Sequence, residues 1–108
     1  MSFELSFASK DLRNCCESAG KAERKYGQQV AQKLRHRIAD LMAAKRIDEL
    51  LAGNPREINE NEMAMDLCDG YRLVFAPGHT NIPLLDSGAV NWSEVSRIKI
   101  LRIENGND

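Results

Sequence analysis

Two stretches of this chain place cations within strand-like runs. One is "DGYRLVF", residues 69–75, with Arg72 inside an aromatic and aliphatic run. The other is "SRIKI", residues 96–100, in which Arg97 and Lys99 alternate with isoleucines. A guanidinium offers N–H donors in a fork that matches phosphate oxygens, and an ammonium adds a point charge beside it. Gathered on one concave surface, Arg72, Arg97 and Lys99 therefore make a phosphate-binding patch. The competing reading makes Arg72 a solvated strand residue, paired across the sheet with Asp66 or Glu62. Both readings stay open until the elements that carry these residues are placed.

Other residues able to do chemistry carry less. His36 falls on a helix, solvated or at a helix contact, and His79 falls in a long loop, so neither is expected to act as a catalytic acid. Cys15 and Cys16 are adjacent and Cys68 stands alone, a spacing that fits reduced thiols better than disulfides or zinc. Trp92 precedes the last strand and reads as a loop anchor packed on the core rather than a base-stacking platform. Met63 and Met65 read as core filling. Lys33, Arg35, Arg37 and Lys45 read as a solvated helix face.

The frame for these residues is modest in size. With 108 residues, 43% hydrophobic and 29% charged, the chain has the composition of an ordinary globular domain, expected as one unit over residues 1–108. No long apolar stretch suggests a signal peptide or membrane span, so a cytoplasmic protein is expected. A net charge of −1 argues against a generally basic nucleic-acid binder, yet a near-neutral total can hide a local basic face.

Residues 2–8 alternate apolar and polar as a half-buried strand does. Ser9 caps a helix whose apolar stripe runs through Leu12, Cys15, Cys16, Ala19, Ala22 and Tyr26, ended by Gly27. A second helix buries Val30, Ala31, Leu34, Ile38, Leu41 and Met42, and so short a connection implies an antiparallel helical hairpin. "RIDELLAGNP" reads as a loose turn running into a loop. Met63, Met65 and Leu67 then alternate as a strand, Asp69-Gly70 turns the chain, and Tyr71, Leu73 and Phe75 continue the apolar side. The last strand, "VSRIKILRI", faces Ile98 and Ile100 inward. The order strand-helix-helix-strand-strand-strand predicts an α+β two-layer fold, the helical hairpin covering one face of a mainly antiparallel sheet and the other face open. Arg72, Val74, Arg97 and Lys99 fall on that open face with Glu62 and Asp66.

Taken in order, "AERKYGQQVAQKLRHRIADLMAA", "LLAGNPREI", "MDLCDGYRLVFAP" and "VNWSEVSRIKILRIEN" resemble the HigB-like "killer protein" branch of the RelE/ParE toxin superfamily. The resemblance runs over nearly the whole chain. It implies a RelE-like fold and the toxin of a type II toxin-antitoxin pair, a metal-independent endoribonuclease that needs no cofactor. Such a toxin cuts mRNA, often on the ribosome, and is neutralised in a hetero-oligomer with a helix-turn-helix HigA-like antitoxin.

In that chemistry the substrate's 2′-hydroxyl attacks the adjacent phosphate, so the protein supplies a proton acceptor, a proton donor and cations for the developing charge. The resemblance puts the phosphate-holding arginine at Arg72 and a second basic residue at Arg56, and the strand pattern adds Arg97 and Lys99 as RNA contacts. The tail departs from the pattern. Where active members end in Asp-Tyr-His or Asp-Thr-His, this chain has "IENGND", with Asn105, Gly106 and Asn107 at those three positions. An amide cannot trade a proton near neutrality. The resemblance therefore also allows a toxin-fold subunit that no longer cleaves and acts by binding its antitoxin as co-repressor, or a ParE-like gyrase inhibitor.

Overall fold

The computed structural model describes residues 3–105. β1 (Glu4–Phe7) leads into α1 (Lys10–Glu17), α2 (Ala19–Tyr26) and α3 (Gln28–Ala43), and a 3-10 turn at Ile47–Glu49 follows. Then come β2 (Arg56–Glu57), β3 (Met63–Asp66), β4 (Tyr71–Pro77), a second 3-10 turn at Trp92–Glu94 and β5 (Arg97–Asn105). The expected α+β class holds, with helices on one face of a mainly antiparallel sheet of order β1-β5-β4-β3-β2. Only β1 pairs in parallel, with β5. No helix among the described residues is long and apolar enough to cross a membrane.

The expected first helix is in fact two. Ser9 caps α1 by accepting from the Leu12 N–H at 3.1 Å, as the sequence suggests. Ser18 then takes an extended conformation, φ −119° and ψ 111°, and its hydroxyl accepts from the Lys21 N–H to start α2. A serine side chain that competes for backbone donors favours such a restart over a continuous helix. Gly27, at φ +91°, ends α2 and begins α3, so a single residue turns the chain.

Helices and sheet meet through the predicted residues. Ala22, Val30, Ala31, Leu34, Ile38 and Leu41 pack on Met63, Met65, Leu73, Phe75, Ile98 and Ile100, all buried. Burying each large side chain contributes roughly 1.5–3 kcal/mol, which makes this interface the main source of stability. Met42, expected inside, is 57% exposed. Arg37, expected outside, lies against the backbone instead: its Nε donates to the Asp66 carbonyl at 3.3 Å and its guanidinium pairs with Asp40 at 3.1 Å.

The Asp69-Gly70 turn has φ +56° and +81° at its two central residues, the geometry of a type I′ hairpin, with Tyr71 N–H donating to the Cys68 carbonyl. Between β4 and β5 the register slips: Val74 faces Arg102 and Phe75 faces Ile100, so Leu101 is an extra residue in β5. That bulge puts Arg102 and Glu104 on the outer face, as Arg97 and Lys99 are before it. The outer face is less open than expected, because Ala64 and Val74 on it are fully buried. The Glu62–Arg102 ion pair joins the two sides of β4 and must pass over it, which shields these small side chains.

Candidate functional site

The outer face of the sheet is built in rows that the register fixes. Arg56, Ala64, Val74 and Arg102 form one row across β2, β3, β4 and β5, and Asp66, Arg72 and Glu104 form the next. Opposed residues of a ladder point to the same side, so three arginines and their carboxylates share one surface. Small residues at Ala64 and Val74 leave the space that the long side chains occupy.

Arg72 and Arg56 do come together. Both line an open polar cavity of about 420 Å³ with Asp66, Leu67, Cys68, Gly70 and Tyr71. Tyr71 is held by an edge-on contact with Tyr26 at 5.5 Å between ring centres, and burial pushes the Tyr26 phenol up, so it stays protonated at neutral pH. Arg72 Nε is buried and has no hydrogen-bond partner among the described residues. A buried donor left unpaired costs on the order of 1–3 kcal/mol.

Neither arginine is idle. Arg72 pairs with Glu104 at 3.4 Å, rather than with Asp66 or Glu62, and Arg56 pairs with Asp66 at 3.1 Å. Glu62 belongs to Arg102, which reaches it at 2.9 Å and Glu104 at 2.8 Å. Hydrogen bonds from Arg102 first, then from Asn59, hold the Glu62 carboxyl below its ordinary range, and those with Glu62 raise Arg102. The surface is a charge-balanced lattice in which any phosphate competes with carboxylates already seated.

Arg97 and Lys99 do not join this cavity. They lie at the far end of β5, opposite Glu4 and Ser6, and Lys99 faces Ala76, four residues along β4 from Arg72, or roughly 13 Å at the usual strand rise. Arg97 is spent on Glu4 at 3.1 Å, and both side chains are largely exposed. The single patch of Arg72, Arg97 and Lys99 is therefore replaced by a cluster of Arg56, Arg72 and Arg102. Arg102 carries a readable signal: in "RIKILRIE" the polar residues shift from 97 and 99 to 102 and 104 across the apolar pair Ile100-Leu101, which marks the bulge.

Among other candidates, His36 is exposed on α3. His79 is tied into its loop rather than loose: its Nε2 accepts from the backbone N–H groups of Ser96 at 3.0 Å and Arg97 at 3.2 Å. Trp92 packs edge-on to Phe75 and donates to Glu57 at 2.8 Å, an anchor as expected. Cys15 and Cys16 are buried, all three described cysteines are free thiols, and burial, with Cys15 and Glu17 nearby, pushes Cys16 up to about 12. No group of three His, Cys, Asp or Glu side chains among the described residues could hold a metal ion. Asn105 ends β5 opposite Tyr71, beside the cavity wall, while Gly106 and Asn107 lie outside the described residues.

Chemically, the cavity can grip one phosphate between two guanidinium groups. Among the described residues it has no imidazole, so proton transfer there falls to carboxylates or Tyr71. In comparisons with protein-family models, curated proteins and solved structures, nothing matches the chain.

Proposed function

We propose that this chain is an RNA-directed toxin of the RelE/HigB kind, neutralised by a helix-turn-helix antitoxin, with Arg72 and Arg56 holding a phosphate of mRNA. The observation that carries this reading is the convergence of the two arginines on one open cavity, with Arg72 Nε buried and unpartnered among the described residues. In such a site the 2′-hydroxyl attacks its own phosphate, and the guanidinium groups stabilise the charge that builds on the phosphoryl oxygens. Arg97 and Lys99 act as peripheral RNA contacts farther along β5.

A second reading has its own observation. Both cavity arginines already have carboxylate partners, and neither histidine lines the cavity. That favours a toxin-fold subunit that binds its antitoxin and represses with it, without cutting RNA. The ParE-like gyrase reading has no such observation in its favour.

The deciding experiment maps new RNA 5′ ends in bacteria after brief induction of this chain, with Arg72→Ala alongside. New ends within coding regions that vanish in the variant support the endoribonuclease. Soluble, folded protein that yields no new ends supports the non-cleaving subunit.

A further inference from the structure

One residue of the Arg56–Arg72 cavity is held more firmly than its place at the end of β3 requires. Asp66 donates its N–H to the Gly53 carbonyl at 2.6 Å, and its own carbonyl accepts from Arg37 Nε at 3.3 Å. Arg37 is the cation that α3 turns inward, with its side chain 12% exposed. Both backbone groups of Asp66 are thus spent away from β4, while the N–H of the neighbouring Leu67 donates to the Tyr71 carbonyl. Asp66 and Arg72 therefore face each other as a non-hydrogen-bonded pair, the arrangement that brings side chains closest across a ladder.

The Asp66 side chain is left able to act. Its carboxylate is half-exposed, lines the cavity and has Arg56, at 3.1 Å, as its ion-pair partner among the described residues. Glu104, the other carboxylate of this row, does not line the cavity and is held on both oxygens, by Arg72 at 3.4 Å and by Arg102 at 2.8 Å. Tyr71 alternates with Arg72, so its ring turns to the helix side of the sheet, where it packs edge-on against Tyr26 of α2. Cys68 lines the wall, but a thiol is a weak acceptor. Asp66 is thus the acceptor of this cavity that is fixed in backbone, open in side chain and beside both guanidinium groups.

We infer that Asp66 is the general base of the cavity, the group that takes the proton from the 2′-hydroxyl of the RNA. This role rests on the endoribonuclease reading of Arg56 and Arg72. A phosphate oxygen that seats on Arg56 displaces the Asp66 carboxylate, and the clamped backbone keeps that carboxylate beside the phosphate. Asp66 then accepts the 2′-hydroxyl proton as O2′ forms its bond to phosphorus and the bond from phosphorus to O5′ breaks. O5′ takes a proton from water and Asp66 returns its own to solvent, so no net proton is gained or lost. The fragments carry a 2′,3′-cyclic phosphate and a 5′-hydroxyl. A carboxylate in this role takes the place of an imidazole, which no described residue brings to the cavity.

The test is cleavage of an end-labelled mRNA in a bacterial cell-free translation reaction by the purified parent chain, Asp66→Asn, Asp66→Glu and Asp66→Ala. Binding of a short single-stranded RNA is followed in parallel by anisotropy, and urea midpoints confirm that each variant is folded. Asp66→Asn should cleave roughly 10²–10⁴-fold more slowly, yet bind RNA at least as tightly, because Arg56 is freed for phosphate. Asp66→Glu retains part of the activity. Added formate restores part of it to Asp66→Ala, while chloride at equal concentration does not. A carboxylate that only positioned Arg56 would give weaker RNA binding and no rescue by formate, and that result overturns the role. Cleavage by Asp66→Asn at the parent's rate overturns it too. Absence of cleavage by the parent chain overturns the endoribonuclease reading and the base with it, whereas loss of the Asp66 effects alone leaves that reading standing.

Discussion

Arg72 donates to Glu104, its register partner on β5, at 3.4 Å, while Asp66, its partner on β3, is held by Arg56 at 3.1 Å. The carboxylates thus sit where the phosphate oxygens of a ligand must go, and binding there is an exchange of anions.

That relationship gives the first prediction. Glu104→Gln removes the competing charge and leaves Arg72 in place, so a short single-stranded RNA should bind more tightly. A half-exposed ion pair is worth up to about 1 kcal/mol, which corresponds to about fivefold in affinity. Arg72→Ala should lose most of the binding. Equal or weaker binding by Glu104→Gln in an anisotropy titration sinks the idea that this carboxylate competes.

How far the sequence showed this site depends on how local each signal is. Four of the five strands were legible because alternation is a nearest-neighbour pattern, and Asp69-Gly70 announced its hairpin by residue type alone; β2 was missed, because two residues, Arg56 and Glu57, are too short to show a period and read as loop. The break at Ser18 was hidden because the apolar stripe of α1 continues in phase into α2. Arg37 was misplaced for another reason: its partner, the Asp66 carbonyl, is 29 residues away in sequence, and no periodicity reports such a contact. Arg72 was found, but its partner was not, because the bulge at Leu101 decides that Glu104 faces it. Burial of Ala64 and Val74 under the Glu62–Arg102 bridge likewise depends on three strands meeting.

Gly53 offers a test of the scaffold behind the cavity. It sits at φ +81°, and a Cβ there would stand 2.7 Å from Arg37 Nε and 3.1 Å from the Asp66 carbonyl oxygen. Its own carbonyl accepts from the Asp66 N–H at 2.6 Å. Gly53→Ala should therefore destabilise the fold by about 1–3 kcal/mol, read as a lower urea midpoint. A midpoint equal to that of the parent chain would mean that Arg37 moves aside freely and does not brace Asp66.

The thiols separate by burial. Burial, aided by Cys15 and Glu17, pushes Cys16 up to about 12, so almost none of it is thiolate at neutral pH. Cys15 is buried beside it, whereas Cys68 is half-buried at the cavity wall. Brief alkylation of the native chain with iodoacetamide, read by peptide mass spectrometry, should label Cys68 first and leave Cys15 and Cys16 unmodified until unfolding. Early labelling of Cys16 would contradict the packing of α1 on the core.

The Glu62–Arg102 bridge should give stability an acid limb. Hydrogen bonds from Arg102, and then from Asn59, hold the Glu62 carboxyl below its ordinary range in the folded chain, whereas the unfolded chain restores the ordinary value. A depressed folded value means that the unfolded state binds the proton more readily, so acid favours unfolding. The contribution is complete above the ordinary glutamate value and fades as pH falls through the lowered one. Glu62→Gln keeps the shape and removes the titration, so its urea midpoint should start lower at neutral pH and fall less steeply on acidification. Parallel curves for the two proteins would show that the bridge is exchanged for water at no cost. Ala64 and Val74 would then need another cover, since this ion pair is what spans β4 above them.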